Sequence, residues 1–361
     1  MILLNVWNSL RNNNIDFSKF ERILEYQYGI AYNDNKISNQ SFDDDEMLIC
    51  LKKYVKQYEK KKYILSLSGG VDSMVLITIL CYLGYEVVGI HINYNNREET
   101  KDEQKFLEVW CKYNGIKLYV KSIDNVTRGS IKRSDYELYT RKIRFDLYKE
   151  VLSEESCDEI LLGHHKDDIV ENIVANVCRG RNLLDLAVIK EKTLVNDVTM
   201  VRPMIDFYKE SVYNFAQKNG VPYFKDTTPT WSVRGKYRNN ISINLSDTFG
   251  DNYKHNLIQL GKQSDEWNEL ITKTITQPFL DSIIYKDKCV EFNIKNYLDY
   301  PLCFWNVIFA KIFYKYGINS PSKKGVITFM NSMKNINKVS LSNYCECKIK
   351  NYIVTINFNI S

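Results

Sequence analysis

Apolar and polar positions along the chain follow two alternating patterns from Tyr63 onward. "KYILSLS" is a short apolar run closed by Gly69-Gly70, "DSMVLITILCYLG" has helical length and stops at Gly84, and "EVVGIHIN" is a second buried-strand pattern. "EETKDEQKFLEVWCKYNG" starts acidic and ends on glycine, as a helix does, and "IKLYVKSI" follows as a strand. A longer helix is predicted where Tyr136, Tyr139, Ile143, Leu147 and Val151 recur three or four residues apart, then a strand at "DEILLG" and a helix from about Lys166. Strands alternating with helices of this length make βαβ units, so the expected class is α/β with a doubly wound parallel sheet. Ligands of such sheets lie beyond the carboxyl ends of the strands, so the loops after Leu67, Asn93 and Leu162 should share one crevice.

The flanks read differently. Residues 1–60 carry two helical patterns, Phe17–Tyr28 and Asp44–Lys60, around the polar stretch "NDNKISNQSFDDD", and are expected to form an N-terminal helical extension. After about Asp247 the alternation gives way to helical patterns at Asn256–Ile275 and Pro301–Tyr316 and to short strands in "YCECKIKNYIVTINFNI". The expected organisation is an extension over 1–60, a nucleotide-binding domain over 61–247 and a smaller α+β substrate domain over 248–361.

Composition narrows the class without choosing a chemistry. With 44% hydrophobic and 26% charged residues among 361, the chain reads as an ordinary globular protein. It has no apolar run of membrane-spanning length and no basic-started secretory leader, so the expected location is the cytoplasm, with no membrane partner. Nine cysteines stand without a C-x-x-C pair, which favours reduced thiols over a zinc or iron–sulfur site. A formal charge of +5 is compatible with a nucleic-acid partner and does not require one.

Two stretches carry chemistry. Between an apolar strand and a helix lies "SGGVDS", Ser68-Gly69-Gly70-Val71-Asp72-Ser73. Glycines let the backbone approach a ligand, the helix start offers unpaired N–H groups and the positive end of its dipole, and Ser68 and Ser73 add hydroxyls, which together form a phosphate cradle. The lysine of a Walker loop is missing, and Asp72 places an acid where phosphates would sit. A metal between them resolves the conflict, so the expected ligands are ATP and Mg2+, with Asp72 on the metal. The second stretch, "GHHKDDIVEN" from Gly163 to Asn172, ends a strand and opens a helix. It holds two of the four histidines, His164 and His165, and its acids Asp167, Asp168 and Glu171 fall within one helical turn.

S-G-G-x-D-S after a strand resembles the PP-loop of ATP pyrophosphatases, which cleave ATP between the α and β phosphates and adenylate a substrate. G-H-H-x-D-D-x-x-E resembles the second motif of the tRNA(Ile)-lysidine synthetase family within that group. "VCRGRNLLDL", "RPMIDFYKESVYNFAQKNGVPYFKD" and "RGKYRNNI" resemble its further segments in the same order, closely as far as Asn240 and faintly beyond. Thiolases with a similar second motif carry C-x-x-C cluster ligands that this sequence lacks. The pattern departs from the family at Asn172 and Ser242, and the stretch "TTPTWSVRGK" has no counterpart.

The resemblance implies an ATP-dependent carbon–nitrogen ligase that adenylates the wobble cytidine of tRNA(Ile) and attaches free lysine at C2. It implies ATP binding by Ser68 to Ser73 and Gly163, a metal on Asp72 and Asp168, and catalytic roles for Asp72, His164, Asp168 and Arg238. It also implies tRNA contacts at Arg179, Arg181, Trp231, Arg234 and Lys236. The implied partners are tRNA and free lysine, and a homodimer is allowed. Another PP-loop ligase or amidotransferase, or a homologue that binds tRNA or nucleotide without turnover, are the alternatives.

Overall fold

A computed structural model describes residues 45–57, 62–96, 99–124, 132–224, 228, 230, 232–333 and 337–359. The expected helix at Phe17–Tyr28 and the expected tRNA contact Trp231 lie outside the described residues. The chain divides into two compact units, Met1–Lys262 and Gln263–Ser361.

In the first unit, α1 (Glu46–Gln57) precedes β1 (Lys62–Ser66), α2 (Val71–Tyr82), β2 (Glu86–Asn93), α3 (Glu99–Tyr113), β3 (Lys117–Ser122), α4 (Arg133–Glu154), β4 (Glu159–Leu161) and α5 (Lys166–Cys178). Then come the hairpin β5 (Lys192–Val195) and β6 (Val198–Val201), and helices α6 (Lys209–Lys218), α7 (Val233–Lys236) and α8 (Ser242–Phe249). Helix α9 (Asn252–Ile271) runs past the point where the chain divides.

The six strands lie in the order β3-β2-β1-β4-β6-β5. All neighbours are parallel except β5, which pairs antiparallel with β6. The antiparallel edge was not expected. It comes from the turn Asn196-Asp197, whose φ angles of 49° and 61° are those a type I′ hairpin demands.

The chain leaves β1 toward β2 and β3 on one side and later places β4 on the other. The carboxyl ends of β1 and β4 therefore flank the point where strand order reverses, where open α/β sheets bind ligands. Ile64 of β1, Ile90 of β2 and Ile160 of β4 are fully buried against α4 with Tyr148 and Val151. The other face is covered by α2, α3 and α6, where Met74, Phe106 and Phe215 meet Leu65. Helix α1 belongs to this core, with Met47, Leu48, Leu51 and Val55 all buried.

The second unit contains α10 (Gln277–Asp281), β7 (Ile284–Tyr285), β8 (Cys289–Asn293), α11 (Leu302–Lys315), α12 (Lys323–Ser332), β9 (Asn337–Ser342), β10 (Cys345–Lys350) and β11 (Ile353–Phe358). Its sheet is antiparallel, ordered β7-β8-β11-β10-β9. On β11, Val354, Ile356 and Phe358 face the helices, the period of two expected of a half-buried strand. Cys345 and Cys347 share the buried face of β10, and burial pushes the Cys347 thiol up to about 12, which keeps it protonated and inert.

Trp305 is fully buried within 5.0–6.0 Å of the rings of Phe279, Phe304, Phe309 and Phe329. Trp305→Ala leaves a large void among them and is expected to cost about 3–5 kcal/mol. Urea unfolding of the full chain followed by circular dichroism checks this, and a loss below about 1 kcal/mol contradicts the packing described.

Candidate active site

The turn after β1 is shaped by its glycines and locked by its serines. Gly69 has φ +85°, a conformation that residues with a Cβ rarely adopt. Ser73 Oγ donates to the Gly70 carbonyl (3.0 Å) and accepts the Ser68 N–H (3.2 Å), and the Ser68 hydroxyl lies 3.1 Å from it while accepting the Gly70 N–H (3.3 Å). From outside the turn, the Phe224 N–H donates to the Gly69 carbonyl (2.9 Å). Carbonyls and hydroxyls are thereby occupied inward. Helix geometry leaves the Val71, Asp72 and Ser73 amides without intrahelical acceptors, since the first i−4 bond is Met74 N–H to Gly70 O at 3.1 Å. These amides are the anion-binding end of α2.

The two sequence motifs meet at Gly163. A Cβ built there would stand 2.9 Å from the carbonyl carbon of Asp72 and 3.1 Å from its carbonyl oxygen and Cβ. Only hydrogen fits, so the segment leaving β4 lies directly on the first turn of α2.

Around that junction, charges are arranged in layers. Asp72 accepts Lys209 Nζ at 2.7 Å on both carboxylate oxygens. His165 is buried beside it, with Nε2 3.5 Å from Asp72 Oδ1 and 3.4 Å from Asp168 Oδ2, and Nδ1 3.7 Å from Asp167 Oδ2. Neither ring nitrogen makes a hydrogen bond. Asp168 and Glu171, both buried, are clamped by two guanidiniums. Arg234 reaches Glu171 Oε1 (2.6 Å) and Asp168 Oδ1 (3.1 Å), and Arg238 reaches Glu171 Oε2 (3.1 Å) and Asp168 Oδ1 (3.3 Å). Burial works to raise the Asp168 carboxyl, but His165, His164 and Arg234 outweigh it and hold it below the ordinary range.

Asp167 diverges from the other two acids. It accepts the Lys209 N–H (2.7 Å) and Lys254 Nζ (2.7 Å), so it ties α5 to α6 and α9 and does not join the pair.

His164 is oriented by a residue that its sequence neighbourhood does not announce. Buried Arg202, just past β6, donates Nε–H to His164 Nδ1 (3.0 Å) and is itself fixed by Nη1 bonds to the Lys190 carbonyl (2.6 Å) and Thr193 Oγ1 (3.0 Å). Since guanidinium only donates, Nδ1 must accept, and the proton of the neutral ring sits on Nε2. Burial pushes the imidazole down to about 4, and Arg202 and Arg234 add to that against the opposing pull of Asp168.

Because the unfolded value is near 6.5, acidification protonates the unfolded chain first. This group's contribution is therefore fully present above about pH 6.5 and is lost as pH falls toward 4. Thermal melts at pH 7 and pH 5 are expected to show a larger drop for the wild type than for His164→Asn. Equal drops would rule out a buried neutral ring.

The structure thus brings together the expected residues Ser68, Gly69, Gly70, Val71, Asp72, Ser73, Gly163, His164, Asp168, Arg234 and Arg238. Arg179 and Arg181 sit past the far end of α5, exposed, with Arg181 paired to Asp185, and Lys236 is exposed on α7. Lys209, Arg202 and Lys254 enter the cluster without having been singled out. The first two stand in "RPMIDFYKE", where the Arg-Pro pair ending a strand and the lysine opening a helix were the only signals.

A cavity of about 380 Å³ also opens at the opposite, amino edge of the sheet, lined by Lys62, Glu86, Glu155, Asp158 and Glu159, where Lys62 pairs with Glu86 and Glu155.

The PP-loop domain family matches residues 44–245. The chain belongs to the PP-loop domain family. A PP-loop domain implies ATP binding. The chain is 29% identical over 226 residues to the tRNA(Ile)-lysidine synthase of Chlamydia caviae, covering 62% of this chain and 70% of that one. With the tRNA(Ile)-lysidine synthase of Chlamydia felis it shares 28% over 282 residues, 75% and 88% of the two chains. Among solved structures it is similar to the U34-tRNA thiolase of Methanococcus maripaludis, with a TM-score of 0.49, 20% identity, and coverage of 62% and 79%.

Mg2+, which the sequence reading calls for, fits the donors of this PP-loop protein. Asp72 and Asp168 approach one imidazole nitrogen from two elements, and one or two carboxylates completed by phosphate oxygens is the set Mg2+ prefers. Among the described residues no group of three or more His, Cys, Asp or Glu side chains forms a metal site on its own. No described helix is long and apolar enough to cross a membrane.

Proposed function

We propose that this chain is a tRNA-modifying ligase that adenylates a cytidine of tRNA with ATP and attaches lysine at C2, releasing pyrophosphate and AMP. The observation that carries the reading is the contact of Gly163 with Asp72, which sets the phosphate-binding turn against the His164–Asp168–Glu171 cluster. The names of the chlamydial relatives support the choice of tRNA and lysine.

In the first step the cytidine O2 attacks the α-phosphorus and the bond to the β-phosphate oxygen breaks. The Val71, Asp72 and Ser73 amides hold the departing pyrophosphate at the α2 terminus. Mg2+, held by Asp72 and Asp168, would neutralise phosphate charge. His164 acts as a neutral donor through Nε2–H, because Arg202 occupies Nδ1 and burial keeps the ring uncharged at pH 7. In the second step the lysine amine attacks C2, loses a proton, and AMP leaves with the former O2. Asp168 and Glu171 hold the Arg234 and Arg238 guanidiniums in place at the crevice, so their N–H donors are oriented before substrate arrives.

The test is transfer of labelled lysine to a tRNA(Ile) transcript with a CAU anticodon, with AMP measured in parallel. Lysine-dependent labelling with stoichiometric AMP is expected. ATP–pyrophosphate exchange without lysine transfer would point to a different PP-loop ligase, and ATP binding without AMP release on any tRNA would overturn turnover altogether.

A further inference from the structure

Lys209 meets Asp72 at the carboxylate that the proposed reading gives to a metal ion. Its Nζ stands 2.7 Å from each of the two oxygens, and the side chains are only 23% and 28% exposed. An ammonium seated on both oxygens uses up the carboxylate. A divalent cation drawn to the same group would be pressed against a like charge in a site that water screens little. The ion pair is therefore one of two alternative ways to neutralise Asp72.

The lysine is mounted for exchange. It is the first residue of α6, and its own N–H is tied to Asp167 Oδ2 at 2.7 Å, so the main chain is fixed and only the flexible stem has to move. One turn along the helix, the centre of the Tyr213 ring lies 5.1 Å from the same ammonium, within cation–π range. The stem can release Asp72 and stay over that ring without needing a second carboxylate. The charge that leaves Asp72 thus has a resting place a small rotation away.

We propose that Lys209 is a placeholder for Mg2+: in the nucleotide-free protein it occupies Asp72 and keeps free divalent cations out, and it is displaced when the metal arrives on ATP. The phosphate oxygens, which complete the ligand set, tip the exchange. Metal binding is thereby tied to nucleotide binding, a coupling that acts equally in both directions. The inference rests on the metal assignment within the ligase reading, and its test follows cation binding with no turnover involved.

Mn2+, whose electron paramagnetic resonance signal is lost on binding, is the probe. It is titrated without nucleotide into the full-length wild type, Lys209→Met, Lys254→Met and the double variant Lys209→Met/Asp72→Asn. Lys209→Met is expected to bind Mn2+ about tenfold or more tightly than the wild type. Lys254→Met removes an equal charge from Asp167 and should change the affinity by about threefold or less. The double variant should lose the gain.

A second measurement uses the wild type alone. Amidination of Lys209 by methyl acetimidate, read by peptide mass spectrometry, should accelerate as Mn2+ saturates the protein and frees the amine from Asp72. Folding of the variants is checked by circular dichroism, and if Lys209→Met does not fold, the labelling of the wild type decides. Equal Mn2+ affinity in the wild type and Lys209→Met overturns the proposal, as does an equal gain in Lys254→Met or a labelling rate indifferent to Mn2+. Failure of Mn2+ to bind either protein removes the metal from Asp72 and the placeholder with it, while lysine transfer by the wild type still judges the ligase reading. A wild type that exchanges Lys209 for Mn2+ as described yet transfers no lysine would sink the ligase reading alone.

Discussion

Asp72→Asn is expected to lower ATP-dependent AMP release by about a thousandfold while leaving the fold intact. Asparagine keeps the size and one acceptor oxygen of aspartate but removes the charge. Two things then change together. Lys209 Nζ, now held by both carboxylate oxygens at 2.7 Å, loses its counter-ion, and on the proposed reading Mg2+ would lose an anionic ligand beside the phosphates. Losses of about 10²–10⁴ are the usual result of deleting an electrostatic group at a reacting phosphate. ATP affinity should fall much less, because the α2 amides proposed to grip the phosphates belong to the backbone. The measurement is AMP release under saturating substrates, beside calorimetric ATP binding and a thermal melt. Near-wild-type turnover in a folded Asp72→Asn protein would remove Asp72 from the chemistry.

Gly163→Ala should produce the second largest effect, and by a different route. No left-handed backbone is involved at this position; the obstacle is space, with main-chain atoms of Asp72 at 2.9 and 3.1 Å from the added methyl. Backbone cannot step aside as a side-chain tip can, so β4 and α2 must separate by several tenths of an ångström. Displacements of about 1 Å at a reacting centre can cost about a hundredfold in rate, and overpacking of this kind costs about 1–3 kcal/mol in stability. Gly84→Ala is the matched control. Its φ of +79° makes alanine strained, yet nothing lies within 4 Å of the added Cβ. The control should therefore lose about 1 kcal/mol of stability and no turnover. If both variants lose stability equally and neither loses activity, the junction is structural only.

The parallel sheet and the nucleotide turn could be read from sequence because their signals are local. Buried parallel strands appear as unbroken apolar runs, and Gly69, Gly70, Gly84 and Gly163 punctuate them. The antiparallel edge of the sheet was present in principle in Asn196-Asp197 between β-branched residues, a turn signal that short strands of four residues made easy to pass over. The partners of the cluster lay beyond any local pattern. Which cation meets Asp72 depends on α6 lying beside α2, a fact of packing that no spacing in the chain encodes. Arg234 shows the same limit from the other direction. Its neighbourhood reads as an exposed basic loop suited to RNA, and its guanidinium does remain half exposed, but two of its nitrogens are spent on Asp168 and Glu171. The acids of Gly163–Asn172 fall within one helical turn, and Asp167 departs from the other two because the Lys209 amide and Lys254 are its hydrogen-bond partners.

The bond from the Phe224 amide to the Gly69 carbonyl joins main-chain atoms at both ends. Exchanging the side chain at Phe224 leaves donor and acceptor in place, and only proline there deletes the donor outright. Point-mutant screens for inactive variants will therefore under-report this tether, and peptide-bond replacement chemistry, such as an amide-to-ester exchange at that one linkage, is the means of weighing it.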